Sequence, residues 1–258
     1  MLESIAKFSN DAVGLEKTLK FSQFSSHVIA ALSTTSVEAT RWNATKGHIN
    51  TARRFFRLFK WIDCFNAAQA QFSAPAPTPK IKPTASTSEK PEKAVVTPAP
   101  FESSNIKILL TVSKLSLLGL YLFMEMFVIT DVIGLTTYSW SGPLQLEALK
   151  VWFYSLAVSI LLGLYELSTL PNSSNSALEA KKATKSAAAS TPPGQDAVQA
   201  KRHAIYKQLI VDLSDIIVPG HVAGWFPVDT VTVGIAGSIS GLLGAHSAWE
   251  RVNGPLFG

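Results

Sequence analysis

The sequence predicts an all-α, membrane-associated protein with amphipathic interfacial helices, one or two apolar membrane helices and two disordered linkers. Three observations predict it. Apolar residues recur at helical spacing through most of the chain. Two stretches, 73–105 and 171–200, are rich in Pro, Ser, Thr, Ala and Lys and interrupt that periodicity. The whole chain of 258 residues, linkers included, is more apolar than a typical soluble protein of its size, with 47% hydrophobic residues and a mean hydropathy of +0.21. The expected organisation is an N-terminal amphipathic region over 1–72, a linker over 73–105 and two apolar or amphipathic helices over 106–170. A second linker over 171–200 leads to an amphipathic helix and a Gly-rich transmembrane helix over 201–258.

The net charge of +5 suits an anionic surface, lipid or nucleic acid. Cys64 is the single cysteine, which excludes an intramolecular disulfide and cannot by itself build a zinc site. The first residues lack the apolar run of a secretory signal, and Glu3, Asp11 and Glu16 argue against a mitochondrial transit peptide. The last residues, Pro255-Leu256-Phe257-Gly258, are not a peroxisomal matrix address. Membrane targeting is therefore expected to be internal.

From Leu2 to about Leu32, Ile5, Phe8, Ala12, Leu15 and Leu19 fall at helical spacing. The stretch Gly14-Leu15-Glu16-Lys17-Thr18-Leu19-Lys20-Phe21-Ser22-Gln23-Phe24 reads as an ordinary amphipathic helix with a solvated Glu/Lys face. Residues 33–50, rich in Ser, Thr and Asn, lead into a basic helix over Thr51 to Phe65. On a helical wheel Trp61, Phe65, Leu58, Ile62, Phe55 and Phe59 fall within about 160°, with Arg53, Arg57 and Lys60 opposite. Such a helix suits a membrane interface, an acidic partner or a soluble core. Arg53, Arg54, Phe55, Arg57, Leu58, Phe59, Lys60, Trp61, Ile62 and Phe65 are the candidate membrane-binding residues.

Ile106 to Leu135 is long and apolar, but Lys107, Lys114 and Glu125 share one stripe of it. Each ionisable residue near a bilayer centre costs a few kcal/mol or more. An interfacial or bundled helix is therefore expected there rather than a lone span. Val151 to Tyr165 is free of charge between Lys150 and Glu166, shorter than the ~20 residues that cross a ~30 Å hydrocarbon core. It reads as a span with snorkelling flanks or as a buried, half-inserted helix.

Lys201 to Val218 gives an amphipathic helix ended by Pro219-Gly220. Its Asp212 and Asp215 have no histidine or third carboxylate nearby, so a solvated face is expected rather than chemistry. Thr230 to His246 carries no formal charge and lies between Trp225-Phe226 and Trp249-Glu250-Arg251, which suit interfacial anchoring. Within it Gly234, Gly237, Gly241 and Gly244 mark a packing face, with Gly237 and Gly241 at the small-x-x-x-small spacing of close helix pairs, expected to serve oligomerisation. Alanine in place of each glycine would favour an isolated helix by about 1 kcal/mol, so a close partner is expected.

Catalytic and metal-binding patterns are absent from the sequence. His27, His48, His203, His221 and His246 are scattered, and there is no phosphate loop, dinucleotide fingerprint or nucleophile elbow. No enzyme, metal or cofactor is expected. Nucleic acid is disfavoured as a partner because the basic helix interleaves its cations with bulky apolar groups.

Two stretches resemble the peroxin eleven family of peroxisomal membrane proteins. Gly14 to Phe24 is similar to its N-terminal motif of glycine, acidic residue, lysine, leucine, basic residue, glutamine and aromatic. Arg53-Arg54-Phe55-Phe56-Arg57-Leu58-Phe59-Lys60 is similar to its second motif, although Phe59 replaces a common glycine. The apolar segment ending Thr130-Asp131-Val132-Ile133-Gly134-Leu135 and the Gly-rich C-terminal segment also resemble the family in place and character. Both linkers look longer than the family's, as in a divergent, fungal-style paralogue.

The resemblance implies a protein of the peroxisomal membrane that promotes elongation, fission and proliferation of the organelle. On that expectation the basic helix inserts into an anionic phospholipid membrane, and the partners are further copies of the chain and the fission machinery. The alternative it implies is a pore-forming channel for small metabolites.

Overall fold

The computed structural model describes residues 2–73, 101–170 and 195–254, and among these every regular element is a helix. The predicted linkers over 73–105 and 171–200 lie largely outside the described residues. Their far ends are helical, because α5 begins at Phe101 and α7 at Gln195.

The N-terminal region is four helices: α1 (Leu2–Ser9), α2 (Ala12–Leu32), α3 (Ser36–Arg57) and α4 (Lys60–Ser73). Asp11 separates the first two, its carboxylate accepting the Gly14 N–H at 2.7 Å as the N-cap of α2. Thr35 caps α3 in the same way through the Glu38 N–H at 3.3 Å, so the segment expected as a polar lead-in is helical from Ser36 onward. The predicted basic helix over 51–65 is not continuous. It turns at Leu58-Phe59, where short i to i−3 bonds, Leu58 N–H to Phe55 O and Ile62 N–H to Phe59 O, replace the α pattern.

After these come α5 (Phe101–Val132), α6 (Ser141–Thr169), α7 (Gln195–Asp215), the short α8 (Ile217–Val222) and α9 (Thr230–Asn253). Gly134 closes α5 with φ of 76°, which lets the Leu135 N–H return to the Thr130 carbonyl at 2.9 Å. Asp131 then fixes the turn into α6, accepting from Thr136 Oγ1 at 2.6 Å and from the Tyr138 N–H at 3.0 Å.

Two packed units make the bundle. In one, α4, α5 and α6 enclose Cys64, Tyr121, Leu122 and Ala148, with Tyr121 stacked on Trp152 at 5.3 Å between ring centres. In the other, α2 and α9 run antiparallel. A Cβ added to Gly234 would lie 2.5 Å from Val28, one on Gly237 2.2 Å from the Phe24 ring, and one on Gly241 2.7 Å from the Phe21 backbone nitrogen. Only glycine permits so close an approach. The glycine face is thus filled by α2 of the same chain. Helix α3 lies on α2, and α7 bridges the units, with Leu209 against Gly163 of α6 and Lys207 paired with Glu250 of α9 at 2.8 Å.

Three helices, Asn105–Val132, Ser141–Thr169 and Thr230–Asn253, are long and apolar enough to cross a membrane. One or two were expected from the sequence. The addition is α5, in which Lys107 pairs with Glu166 at 2.5 Å and Glu125 with Arg57 at 3.0 Å, while Lys114 makes no ion pair among the described residues. The outward faces of these helices are apolar, with Leu109, Leu120, Leu161, Leu164, Ile235 and Ile239 exposed.

Candidate functional site

The candidate site is the α3–α4 elbow and the charged layer beneath it. Helix α2 carries Glu16, Lys20 and Gln23 on one stripe within about 60°, and all three are buried. Opposite Glu16 lies Arg53, only 6% exposed. Its Nε and Nη2 donate to Glu16 Oε1 at 3.0 and 2.7 Å, while Nη1 donates to Gln23 Oε1 at 2.6 Å. Lys17 adds a further contact to Glu16 at 3.1 Å. Burial by itself would raise the Glu16 carboxyl, but Lys17, Arg53 and Arg57 together hold it well below the usual carboxylate range.

One helical turn on, Arg57 donates to Glu125 Oε1 at 3.0 Å and to the Tyr121 hydroxyl at 3.4 Å, and that hydroxyl donates to the same Glu125 oxygen at 3.0 Å. Arg54 reaches Gln145 Oε1 at 2.9 Å and stands 3.5 Å from Glu125. The second motif's arginines therefore fasten α3 to α2, α5 and α6. Lys20 completes the layer, donating to both oxygens of Asp215 on α7 at 2.5 and 2.7 Å. Burial draws its ammonium down to about 8, with Asp215 opposing the change.

These positions differ from the sequence reading in three respects. The Glu/Lys face of α2, expected in solvent, is buried at Glu16 and Lys20. Asp212 and Asp215 are buried as well, held by Ser159 and Lys20 respectively. The arginines of the basic helix point inward because carboxylates on other helices meet them. Lys60 alone of the four cations makes no ion pair among the described residues, and burial lowers its pKa.

The apolar side of the elbow turns outward. Phe55, Phe56, Phe59, Ile62 and Phe65 are exposed, Phe59 most of all at 65%. Leu58 and Trp61 are half-buried, and Trp61 packs edge-on against Phe123 of α5 at 5.2 Å between ring centres. Sequence reasoning missed Glu16, Gln23, Tyr121 and Asp215 as members of the site. The tight polar stripe on α2 was a signal for Glu16 and Gln23; nothing local marked Tyr121 or Asp215, which lie on other helices.

Three helices long and apolar enough to cross a membrane, around a layer of paired charges, fit a helical membrane protein. A model of the Peroxisomal biogenesis factor 11 (PEX11) family matches residues 2–89 and 94–249, and the chain belongs to that family. It is a peroxisomal membrane protein that takes part in peroxisome proliferation, from a family of biogenesis factors rather than enzymes. No curated protein and no solved structure matches the chain.

Proposed function

We propose that the protein elongates the peroxisomal membrane and prepares it for fission by wedging the apolar ridge of the α3–α4 elbow into one leaflet. The observation that carries this reading is the orientation of the elbow: Phe55, Phe56, Phe59, Ile62 and Phe65 are exposed while Arg53, Arg54 and Arg57 are tied inside. A contiguous apolar ridge of this kind calls for a non-aqueous surrounding. Bulky groups placed beneath the headgroups of one leaflet expand that leaflet and favour positive curvature.

The arginines act here as a clasp. Free cations near an anionic leaflet contribute about 1 kcal/mol each, but these three are engaged within the bundle by Glu16 and Glu125 and instead fix the angle of the ridge. Three apolar helices supply the anchor, so the ridge is left to shape the bilayer. On this reading the chain works on an anionic phospholipid membrane, alongside further copies of itself and the fission machinery. Tubulation of vesicles by the full chain, with and without Phe55→Glu and Phe59→Glu, tests it.

A further inference from the structure

Beneath the elbow lies an open-sided cavity of about 1460 Å³, walled by α2, α5, α6, α7 and α9 together with the α3–α4 junction. Its size exceeds the roughly 300–1,000 Å³ of pockets for drug-sized molecules. Eight lysines and arginines line it against four carboxylates. Two further carboxylates, Glu125 and Asp11, hold Arg57 and Arg251 from outside the wall. Lys60 and Lys114 remain, with no ion pair among the described residues. Asp212, on the same wall, accepts from Ser159 Oγ at 2.5 Å and Gln208 Nε2 at 2.8 Å and is the carboxylate that faces Lys114 across the cavity without a direct ion pair. Arg57 keeps its Nε without a protein acceptor.

The wall is not polar throughout. Leu118, Leu122, Trp152 and Leu156 form an apolar side. At the margin, Tyr206, Ile210 and Leu242 line the cavity and are also exposed on the outside of α7 and α9. With α9 in a bilayer, that margin meets acyl chains rather than water.

We propose that this cavity binds an acidic phospholipid, its phosphate held by the excess cations of the wall and its acyl part along the apolar side and out past Tyr206, Ile210 and Leu242. Excess positive charge selects the anion, and the apolar wall and margin select a lipid over a soluble phosphate. The proposal rests on the cavity and is independent of the wedge.

Native mass spectrometry of the full-length chain in a neutral detergent tests it, using dioctanoyl phosphatidic acid, dioctanoyl phosphatidylcholine and glycerol 3-phosphate as probes. The expected result is one phosphatidic acid per chain, with the other two at least tenfold weaker. Lys60→Gln with Lys114→Gln weakens phosphatidic acid at least tenfold, and Lys60→Arg with Lys114→Arg restores it. Equal binding of phosphatidylcholine, equal binding of glycerol 3-phosphate, or unchanged affinity in the glutamine variant overturns the proposal. Should the glutamine variant fail to fold, the selectivity of the unaltered chain decides the matter.

Discussion

Arg53 sits on Glu16, 37 positions earlier in the chain, with Nη2 and Oε1 2.7 Å apart and both residues buried. The two stretches that carry the family resemblance are therefore the two that meet. Removing one partner of a buried pair leaves the other charge uncompensated and costs about 3–5 kcal/mol. We expect Arg53→Ala and Glu16→Ala each to destabilise the bundle by that order. The double variant should lose less than the sum, with a coupling of about 1–3 kcal/mol. Denaturant titration of the purified chain measures this cycle, and strictly additive losses would remove the clasp.

Glu16 also sets an acid limit. Its folded-state pKa lies below its ordinary value of 4.5, so in acid the unfolded chain binds more protons than the folded one. The stability it contributes is complete above that ordinary value and is lost as pH falls below it. Thermal midpoints in detergent should fall between about pH 5 and pH 3 and fall less steeply in Glu16→Gln. Parallel curves for the two proteins would show that Glu16 does not drive the loss.

The α2–α9 contact makes its own prediction. Alanine at Gly241 brings a Cβ to 2.7 Å from the Phe21 backbone nitrogen, whereas at Gly47 nothing lies within 4 Å. Overpacking costs about 1–3 kcal/mol, while the helix preference of alanine over glycine gives back up to about 1 kcal/mol. Gly241→Ala should therefore destabilise and Gly47→Ala should not. Equal denaturation midpoints would mean that the helices do not touch there.

The element types were legible in the sequence because periodicity and glycine spacing are local signals. Gly234, Gly237 and Gly241 announced a close partner, though not that α2 would be the partner. The break at Leu58-Phe59 carries no proline or glycine to mark it. The inward turn of the arginines was hidden for a different reason. A helical wheel compares residues of one helix, whereas Arg53 answers to Glu16 and Arg57 to Glu125, 68 positions away. The same blindness hid the partners of α5's charges, since Lys107 and Glu125 count as costs until Glu166 and Arg57 are placed beside them.

The central claim is that the exposed phenylalanines of the elbow, rather than its cations, bend the membrane. The direct measurement is electron microscopy of anionic vesicles carrying the full-length chain at matched density. The account predicts tubules with the unaltered protein and smooth vesicles with Phe55→Glu and Phe59→Glu, both proteins being folded and equally inserted. Tubules of equal number and width from that variant would contradict it.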